Sequence, residues 1–278
     1  MGMIDFLNGV IPDYHLNLPQ CEKIYGMPSS LNNRLRNGEL DISPVSSMEY
    51  LLHSDNYRIL PQLCIRADRC AATVGVFSAL EPQEWHERKV YLSGASLTSV
   101  YLLQLLCKAF YNIAPIFTKQ PFECVNNENL CEVLKNHDAM LVIGDRAYEE
   151  QKIMGGSIKY YDLAEAWREW TGLPFTFALW LVRKEVAEHR RSCVAEIHSA
   201  FLRSISLGLE NLDEICEKFA YKWPPEKTRE YFEFNLAYDL NEQAIDGFEM
   251  FIRELHRYKF IPRKVPLQFF RPLPDVIP

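Results

Sequence analysis

The stretch AMLVIGD, residues 139–145, is a nearly continuous apolar run that ends in Gly144-Asp145. Central strands of parallel sheets are buried on both faces, so their sequences are uniformly apolar and do not alternate with polar residues. A short run of this kind, bounded by a glycine, is typical of a buried strand. In open α/β sheets, ligands bind outside the carboxyl ends of the strands. The stretch therefore predicts an α/β fold with a candidate site at its strand ends.

The rest of the chain alternates predicted strands and helices and then becomes helical. Further strands are predicted at residues 3–7, 23–27, 40–45, 58–60, 64–66, 72–77, 89–92 and 175–182. From about Lys184 onward, apolar residues recur at helical spacing. This order suggests a two-lobed, type II periplasmic-binding-protein-like α/β fold with a ligand cleft between the lobes and a helical C-terminal region. We expect lobe one at residues 1–86 plus 177–278 and lobe two at 87–176, although one α/β domain with a helical cap also fits.

Composition narrows the class of protein. The chain has 278 residues, of which 48% are hydrophobic and 24% charged, as in ordinary globular proteins. Its net charge of −7 argues against a nucleic-acid surface. No apolar stretch reaches about 18 residues, and the first residues lack a basic start followed by a long apolar run. We therefore expect a cytoplasmic monomer or homodimer that binds neither membrane nor nucleic acid.

The cysteines and histidines do not predict a metal site. Eight cysteines are scattered without a C-x-x-C pair, mostly among apolar neighbours, which suits reduced thiols in a core. The seven histidines show no H-E-x-x-H or similar spacing. We expect no structural metal.

Asn8 lies where the first predicted strand, residues 3–7, ends. Its amide can donate and accept hydrogen bonds without titrating, which suits a substrate-binding group. Asn is also a common turn residue, because its side chain bonds to nearby backbone. Position alone leaves both interpretations open.

Other strand ends also carry small polar residues. The turn at residues 93–99 precedes a predicted helix, whose N-terminal N–H groups and dipole favour a carboxylate or phosphate. A helix cap would account for one of the three hydroxyls of Ser96, Thr98 and Ser99, so these residues, with Leu97 between them, are candidate substrate-binding residues. Ser46 and Ser47 follow another strand. Gly144-Asp145 could place a general base in the site, or Asp145 could cap the next helix.

Five motifs occur in an order and spacing that resemble the chorismate dehydratase family of the futalosine (alternative menaquinone) pathway. The resemblance covers about residues 3–183, and its most specific part is the block that begins DLAEAW and ends FTFALW. The motifs are Leu7-Asn8, ELDISPVS at 39–46, SLTSV at 96–100, IGDRA at 143–147 and the block at 162–180.

The resemblance implies the two-lobed fold and the loss of water from chorismate to give 3-[(1-carboxyvinyl)oxy]benzoate, without metal or organic cofactor. It also implies that Asn8 is the active-site Asn, that Thr73 is a catalytic hydroxyl and that Ser96–Ser99 bind a carboxylate. In the family, the enolpyruvyl carboxylate of the substrate has been suggested as the base. Arg69-Cys70-Ala71-Ala72 departs from the family pattern, in which Gly and small apolar residues are usual here.

Two other functions remain open. One is a lyase of the same pathway that resembles 1,4-dihydroxy-6-naphthoate synthase, for which we expect a histidine base. The other is a non-catalytic protein that binds a small carboxylate. Neither a histidine at a matched strand end nor a signal peptide is evident in the sequence.

Overall fold

The structure is a computed structural model that describes residues 1–119, 130–153 and 156–272. Its strands are β1 Gly2–Ile4, β2 Ile24–Gly26, β3 Ile42–Ser46, β4 Tyr57–Ala67, β5 Val74–Ser78, β6 Lys89–Leu92, β7 Ile116–Lys119, β8 Ala139–Ile143, β9 Lys159–Asp162 and β10 Phe175–Arg183. Its α-helices are α1 Val10–Tyr14, α2 Pro28–Arg36, α3 Ser47–His53, α4 Leu97–Leu105, α5 Leu130–Leu134, α6 Asp145–Ile153, α7 Leu163–Thr171, α8 Lys184–His189, α9 Arg191–Glu210, α10 Leu212–Lys218, α11 Pro225–Glu230 and α12 Glu242–Arg257.

Short segments of 3-10 helix and π-helix also occur. Single turns of 3-10 helix lie at Leu7–Gly9, Ser54–Asn56 and Pro82–Trp85, and π-helical turns lie at Leu106–Phe110 and Tyr231–Asn235. In the part of the chain that the structure describes, no helix is long and apolar enough to cross a membrane.

The chain forms two compact units. The first unit comprises Met1–Ile65, Ala178–Asn241 and Val265–Pro278, and the second comprises Arg66–Phe177 and Glu242–Lys264. The expected lobes, 1–86 plus 177–278 and 87–176, differ from these units in two segments. Residues 66–86 join the second unit because β5 pairs with β8 and β9. Residues 242–264 join it because α12 packs there.

The packing of α12 shows why this helix belongs to the second unit. Phe251 makes edge-to-face contacts with Trp167 and Phe175, at ring-centroid distances of 5.9 and 5.0 Å. Gly247 lies so close to Pro174 that a Cβ would come within 2.2 Å of the Pro174 carbonyl oxygen. The hydrophobic periodicity of α12 does not predict these contacts, because they connect residues about 75 to 85 positions apart in the sequence.

The second unit is built on a five-stranded sheet in the order β7-β6-β8-β5-β9. The predicted central strand, residues 139–143, is β8 and lies third of the five. It runs parallel to β6 and antiparallel to β5. The near-continuous apolar run therefore reflects burial on both faces, and the sheet itself is mixed.

The first unit contains a parallel pair, β1 and β2, and a three-stranded sheet in the order β3-β10-β4. The segment at residues 265–270 adds to this unit. Ile59 accepts a hydrogen bond from Phe270 and donates one to Gln268, both at 2.8 Å. Tyr50 donates to the Pro266 carbonyl at 2.7 Å.

One local prediction was wrong. The first strand ends at Ile4, and its last hydrogen bond is from Asp5 N to Gly26 O at 3.1 Å. Asn8 therefore lies in a separate 3-10 turn and not at a strand end.

Candidate active site

Three predicted site segments lie at one edge of the five-stranded sheet. Because β6 and β8 are parallel, they end at the same edge. Because β5 is antiparallel to β8, it begins where β8 ends. Thr73 before β5, the turn at 93–99 after β6, and Gly144-Asp145 after β8 therefore share this edge, which we call the Thr73 edge.

Thr73 and Gly144 are in direct contact. Thr73 is 3% exposed, and its Oγ1 donates to the Ala71 carbonyl at 3.3 Å. Its own carbonyl accepts from Gly144 N at 2.8 Å. Gly144 has φ +72°, a left-handed conformation that glycine adopts at no steric cost. The glycine lets the chain turn out of β8 beside Thr73.

The segment before Thr73 is held by Asp162, the last residue of β9. Asp162 is 5% exposed and accepts from Ala71 N at 3.1 Å and Ala72 N at 2.8 Å. The Cys70 thiol donates to the same carboxylate at 3.4 Å. Burial raises the pKa of Asp162, against the opposing effect of these donors. Burial also raises the pKa of Cys70 to about 12, so this thiol stays protonated and can donate.

The turn at 93–99 ends in a capped helix. Ser96 is the N-cap of α4, and its Oγ accepts from Ser99 N at 3.2 Å and donates to Ser99 Oγ at 2.9 Å. The prediction that one of the three hydroxyls caps the helix is confirmed. Thr98 and Ser99 are 1% and 2% exposed, and Leu97 and Ser96 are half-buried. The positive end of the α4 dipole therefore lies at the Thr73 edge.

Asp145 is the first residue of α6 and is half-buried. An acidic residue in the first turn of a helix interacts favourably with the helix dipole. Asp145 lies one position after the N-cap, so the alternative that it caps this helix also stays a prediction. Its use as a general base stays a prediction.

Asn8 lies in the first unit, in the 3-10 turn Leu7–Gly9 that Gly9 N closes on Phe6 O at 2.9 Å. Its backbone carbonyl accepts from Tyr238 Oη at 2.9 Å. Its side-chain Oδ1 is buried and has no hydrogen-bond partner among the described residues. A buried acceptor without a donor costs about 1–3 kcal/mol. This cost is removed when a ligand supplies the donor.

Ser46 and Ser47 lie at the end of β3 and the start of α3, and they are 4% and 0% exposed. Ser46 N donates to Asn32 Oδ1 at 3.0 Å, and Asn32 is itself buried in α2. The Ser46 backbone is therefore fixed by a side chain. Substrate binding by Ser46 and Ser47 stays a prediction.

Comparison with known proteins identifies the family to which this chain belongs. A family model described as menaquinone biosynthesis matches residues 1–257. The chain belongs to this menaquinone biosynthesis family. A chorismate dehydratase of Thermus thermophilus is 28% identical over an alignment of 273 positions that covers 92% of this chain and 94% of that protein. The resemblance inferred from the sequence motifs is confirmed at the level of the family.

Solved structures confirm the fold class. A protein of Archaeoglobus fulgidus matches with a TM-score of 0.73 at 19% identity, over 94% of this chain and 97% of that one. The periplasmic aliphatic sulphonate binding protein SsuA of Escherichia coli matches with a TM-score of 0.64 at 12% identity, over 98% and 91%. At these identities the similarity concerns the fold alone.

Two cavities in the first unit differ in their relation to Asn8. One of about 300 Å³ borders the Asn8 turn, with Phe6 and Gly9 in its wall and Lys218 and Lys222 as its basic residues. Another of about 230 Å³ is lined by residues such as Cys21 and Cys193 and touches none of the predicted site residues. We regard the first as relevant to the site because it adjoins the turn that holds Asn8. Within the described ranges, no three His, Cys, Asp or Glu side chains are grouped to hold a metal ion.

Four residues that support the predicted site residues were not singled out as site residues from the sequence: Asn32, Gln151, Asp162 and Tyr238. For Asp162 a signal existed, because it begins the most specific motif of the resemblance. Gln151 lies on α6 and donates to the Ala72 carbonyl at 2.8 Å. An isolated Asn, Gln or Tyr in a helix or loop offers no comparable signal.

Proposed function

We propose that this protein is a chorismate dehydratase, which removes water from chorismate to form 3-[(1-carboxyvinyl)oxy]benzoate in the futalosine route to menaquinone. The observation that carries the proposal is the family match over residues 1–257, together with a chorismate dehydratase that is similar over 92% of the chain. The arrangement of Thr73, the α4 N-terminus and Gly144 at one sheet edge supports it.

The proposed reaction is the loss of the C4 hydroxyl and the C3 proton of chorismate. The C3–H bond electrons become part of the new aromatic ring, and the C4–O bond breaks to release water. Aromatisation supplies the driving force, so the protein has mainly to orient the substrate and stabilise developing charge. The substrate's enolpyruvyl carboxylate is the base in this proposal.

Asn8, Thr73 and the Ser96–Ser99 turn then have defined parts. Asn8 Oδ1, which lacks a donor among the described residues, accepts a hydrogen bond from the substrate, and its amide orients or polarises the substrate without taking its proton. The Thr73 hydroxyl acts on the reacting atoms of the substrate. The N-terminus of α4 at Ser96–Ser99 binds a substrate carboxylate through N–H groups and dipole.

The related lyase that resembles 1,4-dihydroxy-6-naphthoate synthase is less well supported. The segments of the Thr73 edge, residues 69–73, 93–99 and 144–145, contain no histidine. That lyase is expected to use one as its base. We place the activity in the cytoplasm, because free cysteines such as the buried Cys64 and Cys107 are typical of a reducing compartment.

The test is incubation of the purified protein with chorismate, with substrate and product separated by chromatography. We expect chorismate to be consumed and 3-[(1-carboxyvinyl)oxy]benzoate to form at the same rate with and without a metal chelator. Intact chorismate after long incubation at high enzyme concentration would overturn the proposal. Calorimetric binding of chorismate without turnover would identify a carboxylate-binding protein instead.

A further inference from the structure

Asp162 joins two structural tasks in one buried carboxylate. Its Oδ1 accepts from Ala164 N at 2.9 Å and Glu165 N at 3.1 Å, which caps helix α7. The same oxygen accepts from Ala71 N, while Oδ2 accepts from Ala72 N and the Cys70 thiol. One carboxylate therefore receives donors from two segments about 90 residues apart in the sequence.

Helix capping alone does not account for this residue. An N-cap needs one side-chain oxygen to accept from the N2 or N3 backbone N–H, and Ser, Thr or Asn can provide it. In Asp162, Oδ1 performs the capping, and the donors to Oδ2 are Ala72 N at 2.8 Å and the Cys70 thiol at 3.4 Å. A second oxygen beyond the capping one is what a carboxylate adds at this position.

The backbone of Ala72 explains what the second oxygen stabilises. Ala72 has φ +60°, in the left-handed region that residues with a Cβ rarely adopt. Its N–H is bound by Asp162, and its carbonyl accepts from Gln151 Nε2 at 2.8 Å. Hydrogen bonds on both sides of Ala72 therefore hold it in a conformation that the residue does not favour by itself.

Thr73 follows directly and depends on these peptide planes. Its Oγ1 donates to the carbonyl of Ala71, whose N–H is bound to Asp162. Moving residues 71–72 would move both the Thr73 Cα and the acceptor that orients its hydroxyl. We propose that Asp162 is a positioning residue, which holds Cys70-Ala71-Ala72 so that the Thr73 hydroxyl is fixed for the reaction. This inference rests on the proposed function for the role of Thr73 and goes beyond it for the role of Asp162.

The decisive variant is Asp162→Ser. Serine is a good N-cap, so the start of α7 is retained, but its single short hydroxyl cannot reach Ala71 and Ala72 as the carboxylate does. We expect kcat to fall on the order of 10²-fold, because a displacement of about 1 Å of a reacting group has this effect. We expect KM to change by less than about threefold, since Thr73 acts on the reacting atoms in the proposed mechanism.

Ser78→Ala is the matched control for a simple loss of stability. Ser78 is fully buried at the opposite end of β5, donates to the Asp138 carbonyl at 2.7 Å and accepts from Trp85 Nε1 at 3.1 Å. Its removal should lower the melting temperature of the second unit and leave kcat unchanged. Equal losses of kcat in the two variants would show that Asp162 acts only through stability and would overturn the proposal.

A double-mutant cycle tests whether Asp162 acts through Thr73. In a Thr73→Ala background, Asp162→Ser should reduce kcat by less than about threefold, because the group that it positions is already absent. Losses of kcat that multiply would overturn the proposal. If the serine variant does not fold, Asp162→Asn, which keeps the side-chain shape but opposes an NH2 group to Ala72 N–H, takes its place in the same cycle.

Hydrogen exchange separates this inference from the proposed function. The Ala71 and Ala72 amides should be protected in the natural protein and should exchange rapidly in Asp162→Ser, whereas they should stay protected in Ser78→Ala. If the natural protein does not convert chorismate, the proposed function fails, and the exchange result alone then decides whether Asp162 holds this segment. Unchanged exchange in Asp162→Ser would overturn the inference whatever the activity.

Discussion

Asn8 and Thr73 are the two residues that the family resemblance marks as catalytic, and the protein holds them in different ways. Thr73 is bonded on every side by its own unit: its hydroxyl to Ala71, its carbonyl to Gly144, and the preceding residues to Asp162. Asn8 lies in a single turn, receives one bond at its carbonyl from Tyr238, and leaves its Oδ1 unsatisfied. The difference suggests that Thr73 is preorganised, whereas Asn8 is completed by the ligand.

The largest effect is expected for Asn8→Ala. Loss of one hydrogen-bonding group that contacts the reacting substrate typically costs on the order of 10²–10³-fold in kcat, and we expect a loss of this size. Stability should be unchanged or slightly higher, because the variant removes a buried acceptor that lacks a partner. Steady-state kinetics and thermal unfolding measure the two.

The control for Asn8→Ala is Asn33→Ala, the same change at an exposed position of α2 in the same unit. It should leave kcat within the error of the measurement. An Asn8→Ala variant that is fully active, or one that is destabilised by several kcal/mol, would contradict the comparison, since the protein itself would then be satisfying the Asn8 side chain.

Substitutions of Thr73 should separate its hydroxyl from its shape. Thr73→Val keeps the volume and removes the hydroxyl, so we expect kcat to fall on the order of 10- to 100-fold, and stability by about 1 kcal/mol through the lost bond to Ala71. Thr73→Ser keeps the hydroxyl and should retain activity within a few fold. A serine variant as impaired as the valine variant would show that Thr73 is needed for packing alone.

A smaller effect is expected for Tyr238→Phe. The Tyr238 hydroxyl is deeply buried, which raises its pKa, so it remains a donor to the Asn8 carbonyl at every accessible pH. The variant leaves that carbonyl without this donor and should lower the free energy of unfolding by about 1–3 kcal/mol. We expect an accompanying loss of roughly tenfold in kcat, because the Asn8 turn is then less firmly placed.

Tyr221→Phe serves as the comparison for the stability of Tyr238→Phe, since Tyr221 is 77% exposed and the same hydroxyl is removed there. Because Tyr221 lines the cavity beside the Asn8 turn, it is not a control for activity. Chemical denaturation should show no change for it. If Tyr238→Phe changes neither stability nor activity, the hydrogen bond from Tyr238 to the Asn8 carbonyl does not hold the turn. The protein then constrains Asn8 even less, relative to Thr73, than we propose.

Local sequence patterns predicted the structural features that depend on residues close in sequence, and they missed the features that depend on residues distant in sequence. Apolar runs located β6 and β8 to the residue, and the serine-rich turn at 93–99 predicted the α4 cap. The end of β1 was misplaced because it is set by pairing with β2, and the apolar run simply continues through Phe6-Leu7. The predicted β5 strand was located, but its antiparallel direction is set by tertiary pairing.

The same limit explains the parts of the site that the sequence did not reveal. Asp162 contacts Ala71 and Ala72 across about 90 residues, and Tyr238 contacts Asn8 across 230 residues. A carboxylate before a helix is an ordinary N-cap signal, so its second task is visible only in the folded chain. The candidate substrate-binding residues could be named from motifs, whereas the residues that hold them in place could not.

The smallest predicted effect is a loss of stability at acidic pH, which should be greater in the first unit than in the second. His198 on α9 is buried, its Nε2 bonds to the Pro61 carbonyl of β4 at 2.8 Å, and burial lowers its pKa below 6.5. The folded state therefore disfavours the charged ring, while the unfolded chain takes up a proton near pH 6.5. Stability from this residue is complete above that pH and falls as the pH drops below it, by about 1.4 kcal/mol for each unit of pKa difference.

Hydrogen exchange at pH 5.5 against pH 7.5 should show greater opening at Cys64, in the strand that bonds to His198, than at Val76 of β5. His198→Gln, which can still donate to Pro61 but does not titrate, should abolish this difference; its persistence in that variant would place the acid sensitivity elsewhere and remove the distinction between the units.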